Sequence, residues 1–159
     1  MHLFLIFVYY LFHSLPGIKC LSVRCEESEH TEQLARLADA QQQPLLERLD
    51  LGGSSSVSST AALSVLLNRC TRLTHLNLER MPELEMDAVL SSLPICAPLQ
   101  ELNLAHASQL TDVGLNRIAL GVCHSTLRDI NLAYCRSVSG DALVELLASC
   151  ASLERMCLK

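Results

Sequence analysis

The apolar positions of the chain fall into a recurring frame, apolar-x-x-apolar-x-apolar. It reads Leu46-x-x-Leu49-x-Leu51, Leu73-x-x-Leu76-x-Leu78, Leu99-x-x-Leu102-x-Leu104, Leu127-x-x-Ile130-x-Leu132 and Leu153-x-x-Met156-x-Leu158. The leading residues lie 27, 26, 28 and 26 apart, and a looser copy, Ile18-x-x-Leu21-x-Val23, precedes Leu46 by 28. Self-similarity at a period of this size marks a repeat architecture, and copies in register from Ile18 to Lys159 decide the fold. The end of each frame alternates with period two, which predicts a short strand with one buried face. Turn and helix signals follow. In one copy they are Gln109-Leu110-Thr111-Asp112-Val113-Gly114-Leu115, then Ile118 and Leu120, with Thr111 or Asp112 able to cap a first helical turn. Asp87, Asp112 and Asp141 recur 14, 13 and 14 residues after the leading leucine of their copies. A strand-helix unit cannot bury its own apolar face, so the predicted fold is an α/β solenoid, a horseshoe with parallel strands on the concave side and helices on the convex side.

With 159 residues the chain is one domain's worth, and its make-up suits stacked layers. Leucine supplies 33 positions, tryptophan none, and five of the six Phe and Tyr residues fall within the first twelve positions. Half of the residues are hydrophobic and 18% are charged, which excludes intrinsic disorder. The net charge is −5 and no basic run is present, so a nucleic-acid partner is not expected.

Eight cysteines raise the question of a disulfide framework or a metal site. Cys70, Cys96, Cys123 and Cys150 recur at 26, 27 and 27, each three or four residues before a leading leucine, and Cys135 follows Leu132 by three. A small apolar thiol packed in every layer explains that ladder. No pair has metal-ligand spacing: Cys20 and Cys25 are five apart, Cys-x-x-Cys is missing, and Cys123-His124 has no matching pair. Neither a metal nor a cofactor is expected. Buried free thiols in series suit a reducing compartment.

The segment Cys123 to Cys150, with Leu127, Ile130, Leu132, Cys135, Val138, Asp141, Ala142 and Leu143, resembles a nearly complete leucine-rich repeat of the cysteine-containing subtype. Cys96 to Cys123 supplies that subtype's Thr-Asp-x-Gly-Leu portion as Thr111 to Leu115. The resemblance is strong after about residue 44 and weak over residues 18–43. The subtype is typical of F-box leucine-rich-repeat proteins, which present substrates to cullin-type ubiquitin ligases, and of antagonist-of-mitotic-exit-network proteins. The resemblance therefore implies a protein partner, possible ubiquitin-ligase components, and a cytoplasmic or nuclear setting. The chain departs from it in two ways. Seventeen residues ahead of the first copy are too few for an F-box, and Leu158-Lys159 stops a repeat after its strand, which raises the expectation of a fragment, a truncated gene model or a covering partner.

The division expected is an apolar N-terminal segment over 1–17 and a repeat domain over 18–159. Leu3 to Phe12 carries no charge and has the length of a signal-peptide core, yet the start has no Lys or Arg and the stretch is too short for a membrane span. A damaged upstream repeat and a buried edge strand are the alternatives. A secreted or surface recognition protein is thus the alternative to an intracellular one.

Catalytic patterns are missing. Gly52-Gly53-Ser54-Ser55-Ser56 lacks the lysine and glycine spacing of a phosphate cradle, and His75 and His106 read as solvent-facing polar residues, so no enzymatic activity is expected. What remains is the concave strip between the inward leucines. Its candidate partner-binding residues are Arg48, His75, Glu101, Asp129 and Arg155 in one row, Asp50, Asn77, Asn103 and Asn131 in the next, and Glu79 beyond. Ala105 and Ala133 leave room for a partner, and six strands about 4.8 Å apart span roughly 24 Å. A plain solvated sheet face and a structural fragment without a role of its own are the competing readings.

Overall fold

The computed structural model describes residues 17–23, 45–54, 59–93 and 98–159. The expectations for residues 1–16, Cys25 and Cys96 lie outside the described residues. Six three-residue strands, β1 (Cys20–Ser22), β2 (Arg48–Asp50), β3 (His75–Asn77), β4 (Glu101–Asn103), β5 (Asp129–Asn131) and β6 (Arg155–Cys157), form one parallel sheet in chain order. The register follows the frame: Leu21, Leu49, Leu76, Leu102, Ile130 and Met156 lie side by side across all six strands. All but Met156, which is half-buried on the edge strand, are buried in one continuous apolar core.

The other side of that core comes from helices α1 (Thr60–Arg69), α2 (Met86–Ser91), α3 (Asp112–Leu120) and α4 (Gly140–Ser149), with a 3₁₀ turn at Val122–Ser125. In α1 the buried residues are Ala62, Leu63, Leu66 and Leu67, the i, i+1, i+4, i+5 spacing of one helical face. In α3 they are Gly114, Leu115, Ile118 and Ala119. The last helix buries only Ala142 and Leu146, while its Val144 and Leu147 are exposed.

Polar ladders lock neighbouring units together. Ser59, Thr111 and Ser139 cap α1, α3 and α4 by accepting a backbone N–H two or three residues on. The residues that open α2, α3 and α4, namely Glu85, Thr111 and Ser139, are each held by the helix before. Thr60 Oγ1 accepts the Glu85 N–H at 3.1 Å, Asp87 Oδ1 the Thr111 N–H at 2.9 Å, and Asp112 Oδ1 the Ser139 N–H at 2.7 Å. The last of these bonds holds the Asp112 carboxyl below the ordinary carboxylate range. Asp87 and Asp112 thus serve as inter-repeat staples, while the cap of α3 is Thr111.

A second ladder was hidden in the sequence. Gly53, Arg80, His106 and Tyr134 all take left-handed backbone conformations, with φ of 76°, 56°, 61° and 62°. For non-glycine residues this costs about 1–2 kcal/mol each. The turn aims each N–H at the carbonyl of the next unit, from Gly53 to Glu79, Arg80 to Ala105, His106 to Ala133 and Tyr134 to Lys159, at 2.7–2.9 Å. His106 stacks on Tyr134 with ring centroids 4.3 Å apart, so it is half-buried and not freely solvated.

The cysteine ladder behaves as a packing device. Cys70 and Cys150 are buried and Cys123 is half-buried; Cys70 donates to the Leu66 carbonyl at 3.2 Å. Burial pushes the Cys70 thiol up to about 12 and the Cys123 thiol up to about 11. A raised thiol pKa lowers the thiolate fraction that alkylating reagents attack. Native protein treated with iodoacetamide near neutral pH should therefore label exposed Cys20 and Cys157 quickly and Cys70 and Cys123 only on unfolding, as peptide mass spectrometry can show.

Gly114 supplies a sharper test of the staples. A Cβ there would collide with Asp87 Oδ1 and come within 2.8 Å of Leu110 Cδ1. Gly→Ala in a helix interior ordinarily stabilises by about 1 kcal/mol. Here Gly114→Ala is expected to destabilise, by roughly 1–3 kcal/mol, the range for disturbing a bonded polar group inside a fold. A urea unfolding midpoint at or above that of the native chain would refute the staple.

Candidate functional site: the open face of the sheet

Opposite the helices, the face of the sheet carries an open groove of about 860 Å³ lined by strand residues of β2 to β6. Nine of the ten predicted residues line it: Arg48, Asp50, His75, Asn77, Glu101, Asn103, Asp129, Asn131 and Arg155. Glu79 stands beyond the lining, where its carboxylate accepts from Asn103 Nδ2 at 3.1 Å and pairs with Arg80 at 3.4 Å. Glu154, Met156 and Cys157 complete the last rung. Met156 packs against the core as the frame expects, and like Leu49, Leu76, Leu102 and Ile130 it also borders the groove.

The row Asp50, Asn77, Asn103 and Asn131 has a structural task. Each side-chain oxygen accepts the backbone N–H two residues on, that of Gly52 at 2.9 Å and those of Glu79, Ala105 and Ala133 at 3.1 Å. Such bonds turn the chain out of the strand. The Asn77 amide also donates to Asp50 Oδ1 at 2.8 Å, and that of Asn103 to Glu79. Gly52 fits because a Cβ would come 2.6 Å from the Asn77 amide nitrogen. The row offers a partner less than its polarity suggests, since each residue already spends one side-chain oxygen on the backbone.

The row Arg48, His75, Glu101, Asp129 and Arg155 divides into a contact triad and a pair. Arg48 Nη2 lies 2.5 Å from His75 Nε2, the same nitrogen lies 3.1 Å from Glu101 Oε1, and Asp129 pairs with Arg155. The hydrogen bond from Arg155 holds the Asp129 carboxyl below its ordinary range. A rim row, which sequence reasoning missed, pairs Lys19 with Glu47 and Arg128 with Glu154, each at 2.8 Å. Its spacing of 26 to 28 residues matches the repeat, and that was the signal available. Among the described residues no group of three or more His, Cys, Asp or Glu side chains is placed to hold a metal ion, and no helix is long and apolar enough to cross a membrane.

Fold and face together define a stack of strand-helix units with a polar, charge-bearing open surface, compatible with a leucine-rich-repeat architecture. The chain is 26% identical over 135 residues to the F-box/LRR-repeat protein 4 of Bos taurus. That match covers 70% of this chain and 22% of the relative, so the chain spans under a quarter of that protein's length. No family model matches the chain.

The turn-forming role of the asparagines is directly testable. Asn103→Ala leaves the N–H of buried Ala105 without its acceptor, which costs about 1–3 kcal/mol. Chemical denaturation should show that loss. A stability unchanged within error would return Asn103 to the pool of free surface residues.

Proposed function

We propose that the chain is a non-catalytic protein-interaction module, a leucine-rich-repeat solenoid that recognises a partner on the open face of its sheet. The observation that carries this reading is the groove: an extended surface of charged side chains from five adjacent strands, held in place by backbone ladders at both ends of every strand. Its charged side chains stand in a row along the strands, a pattern that a partner of complementary charge can match. The cullin-type ubiquitin-ligase setting is a narrower reading, supported by the cysteine-containing repeat type and by similarity to a protein named for an F-box and leucine-rich repeats. In that setting the chain selects partners in the cytoplasm or nucleus.

The test compares two faces of one protein. The double variant His75→Ala/Glu101→Ala strips the groove, and Val113→Ser/Leu120→Ser alters exposed apolar residues of α3. Affinity capture from cell extract with quantitative mass spectrometry should show the groove variant losing its specific partners at least about tenfold, as loss of central contacts does. The α3 variant should keep them. The opposite pattern would move the binding surface to the helices. Capture without ligase adaptor or cullin subunits would remove the ligase setting and leave the binding reading standing.

A further inference from the structure

Resting on that reading, we infer that the groove docks an extended protein segment through a lysine or arginine seated against Glu101, and that protonation of His75 releases it. The evidence is the bonding around one imidazole. Thr74 Oγ1 donates its hydrogen to the Glu47 carbonyl at 2.8 Å, so toward His75 Nδ1, 2.7 Å away, it can only accept. Nδ1 therefore carries the ring hydrogen. In the neutral ring Nε2 is then bare, and it accepts from Arg48 Nη2 at 2.5 Å. A bare Nε2 gives nothing to Glu101, whose oxygen 3.1 Å away has only lone pairs to present. Protonation reverses both relations, because Nε2–H then donates to Glu101 and opposes the guanidinium of Arg48, which has donors only.

The neighbouring carboxylates do not share this dependence. Asp50 accepts from Gly52 and Asn77, Glu79 from Asn103, and Asp129 from Arg155. Glu154, also in the groove, pairs with Arg128, whereas Glu101 faces the His75 imidazole and its side chain is 51% exposed on the middle strand of the groove. The charged groups facing His75 are Arg48 from β2 and Glu101 from β4. Beyond them Glu47 precedes β2 and Asp50 ends it, and the Asp129–Arg155 pair lies on β5 and β6, with Arg155 also feeling the Glu101 charge. With His75 neutral, the half-exposed Glu101 carboxylate takes no hydrogen from the imidazole and complements a cation from a partner. The five rungs of the groove, about 4.8 Å apart, accept some six residues of extended chain at about 3.3 Å each, enough to centre one basic side chain on β4.

The test pans a random linear heptapeptide display library against the full chain at about pH 8 and about pH 5.5, either side of the range in which histidine titrates. Native protein should enrich Lys and Arg several-fold at the higher pH and lose most of that preference at the lower. Glu101→Lys should exchange it for Asp and Glu. His75→Gln, which cannot take a proton, should keep the basic preference at both values, with circular dichroism melting confirming that each variant is folded. Neutral or acidic peptides recovered by the native chain, or the same peptides recovered by Glu101→Lys, would overturn the Glu101 seat and leave the groove reading intact. A His75→Gln profile that falls with pH as the native one does would overturn the release. Peptides that bind the His75→Ala/Glu101→Ala variant as well as the native chain in every selection would overturn the groove reading itself.

Discussion

Everything in this structure depends on one constraint: a three-residue strand can bury its single inward side chain only if an identical strand lies beside it. Leu49 is buried because Leu21 and Leu76 flank it, and Leu102 because Leu76 and Ile130 do. Burial of one leucine stabilises by about 1.5–3 kcal/mol, and no isolated unit has the partner surface to collect it. Stability is therefore shared between neighbours, and the chain has to be periodic at every level. The staples from Asp87 to Thr111 and Asp112 to Ser139 and the left-handed ladder from Gly53 to Tyr134 repeat for that reason.

The same constraint explains the character of the open face. Strand residues that do not enter the core must point away from it, and equal spacing puts them in straight rows. One row is consumed by the backbone, because Asp50, Asn77, Asn103 and Asn131 each accept the N–H that follows the strand. The charged row and the exposed rim pairs are left to vary without removing those turn bonds. Division of labour between adjacent rows thus separates what holds the stack together from what a partner can read.

How much of this was legible in the sequence follows from the same division. The leucine frame yielded the strands, their order and their pairing, since burial depends only on the position of an apolar residue along the period. It also placed nine of ten candidate residues in the groove. The periodicity could not say that the asparagine oxygens face their own backbone, because Asn is as common on a docking surface as in a turn. Nor could it show Arg80, His106 and Tyr134 in left-handed turns, as three unrelated side chains occupy one conformational role that glycine fills at Gly53. Gly114 looked like part of a family motif, and its reason is the approach of Asp87 from the preceding helix, a contact between residues 27 apart. Glu79 fell outside the lining because it lies two residues past the end of β3, where its carboxylate bonds Asn103.

Nearest-neighbour stacking also limits how far a local change can travel. A proton gained by His75 alters its relations with Arg48 and Glu101, the rungs on either side, whereas the Asp129–Arg155 pair sits further along and is satisfied internally. The leucines beneath the row are unaffected, because the rearrangement moves hydrogens and side-chain tips on the solvent side of the sheet. A response of this kind alters recognition without unfolding a repeat. It needs no second global conformation, only an imidazole placed within reach of a cation on one strand and an anion on the next.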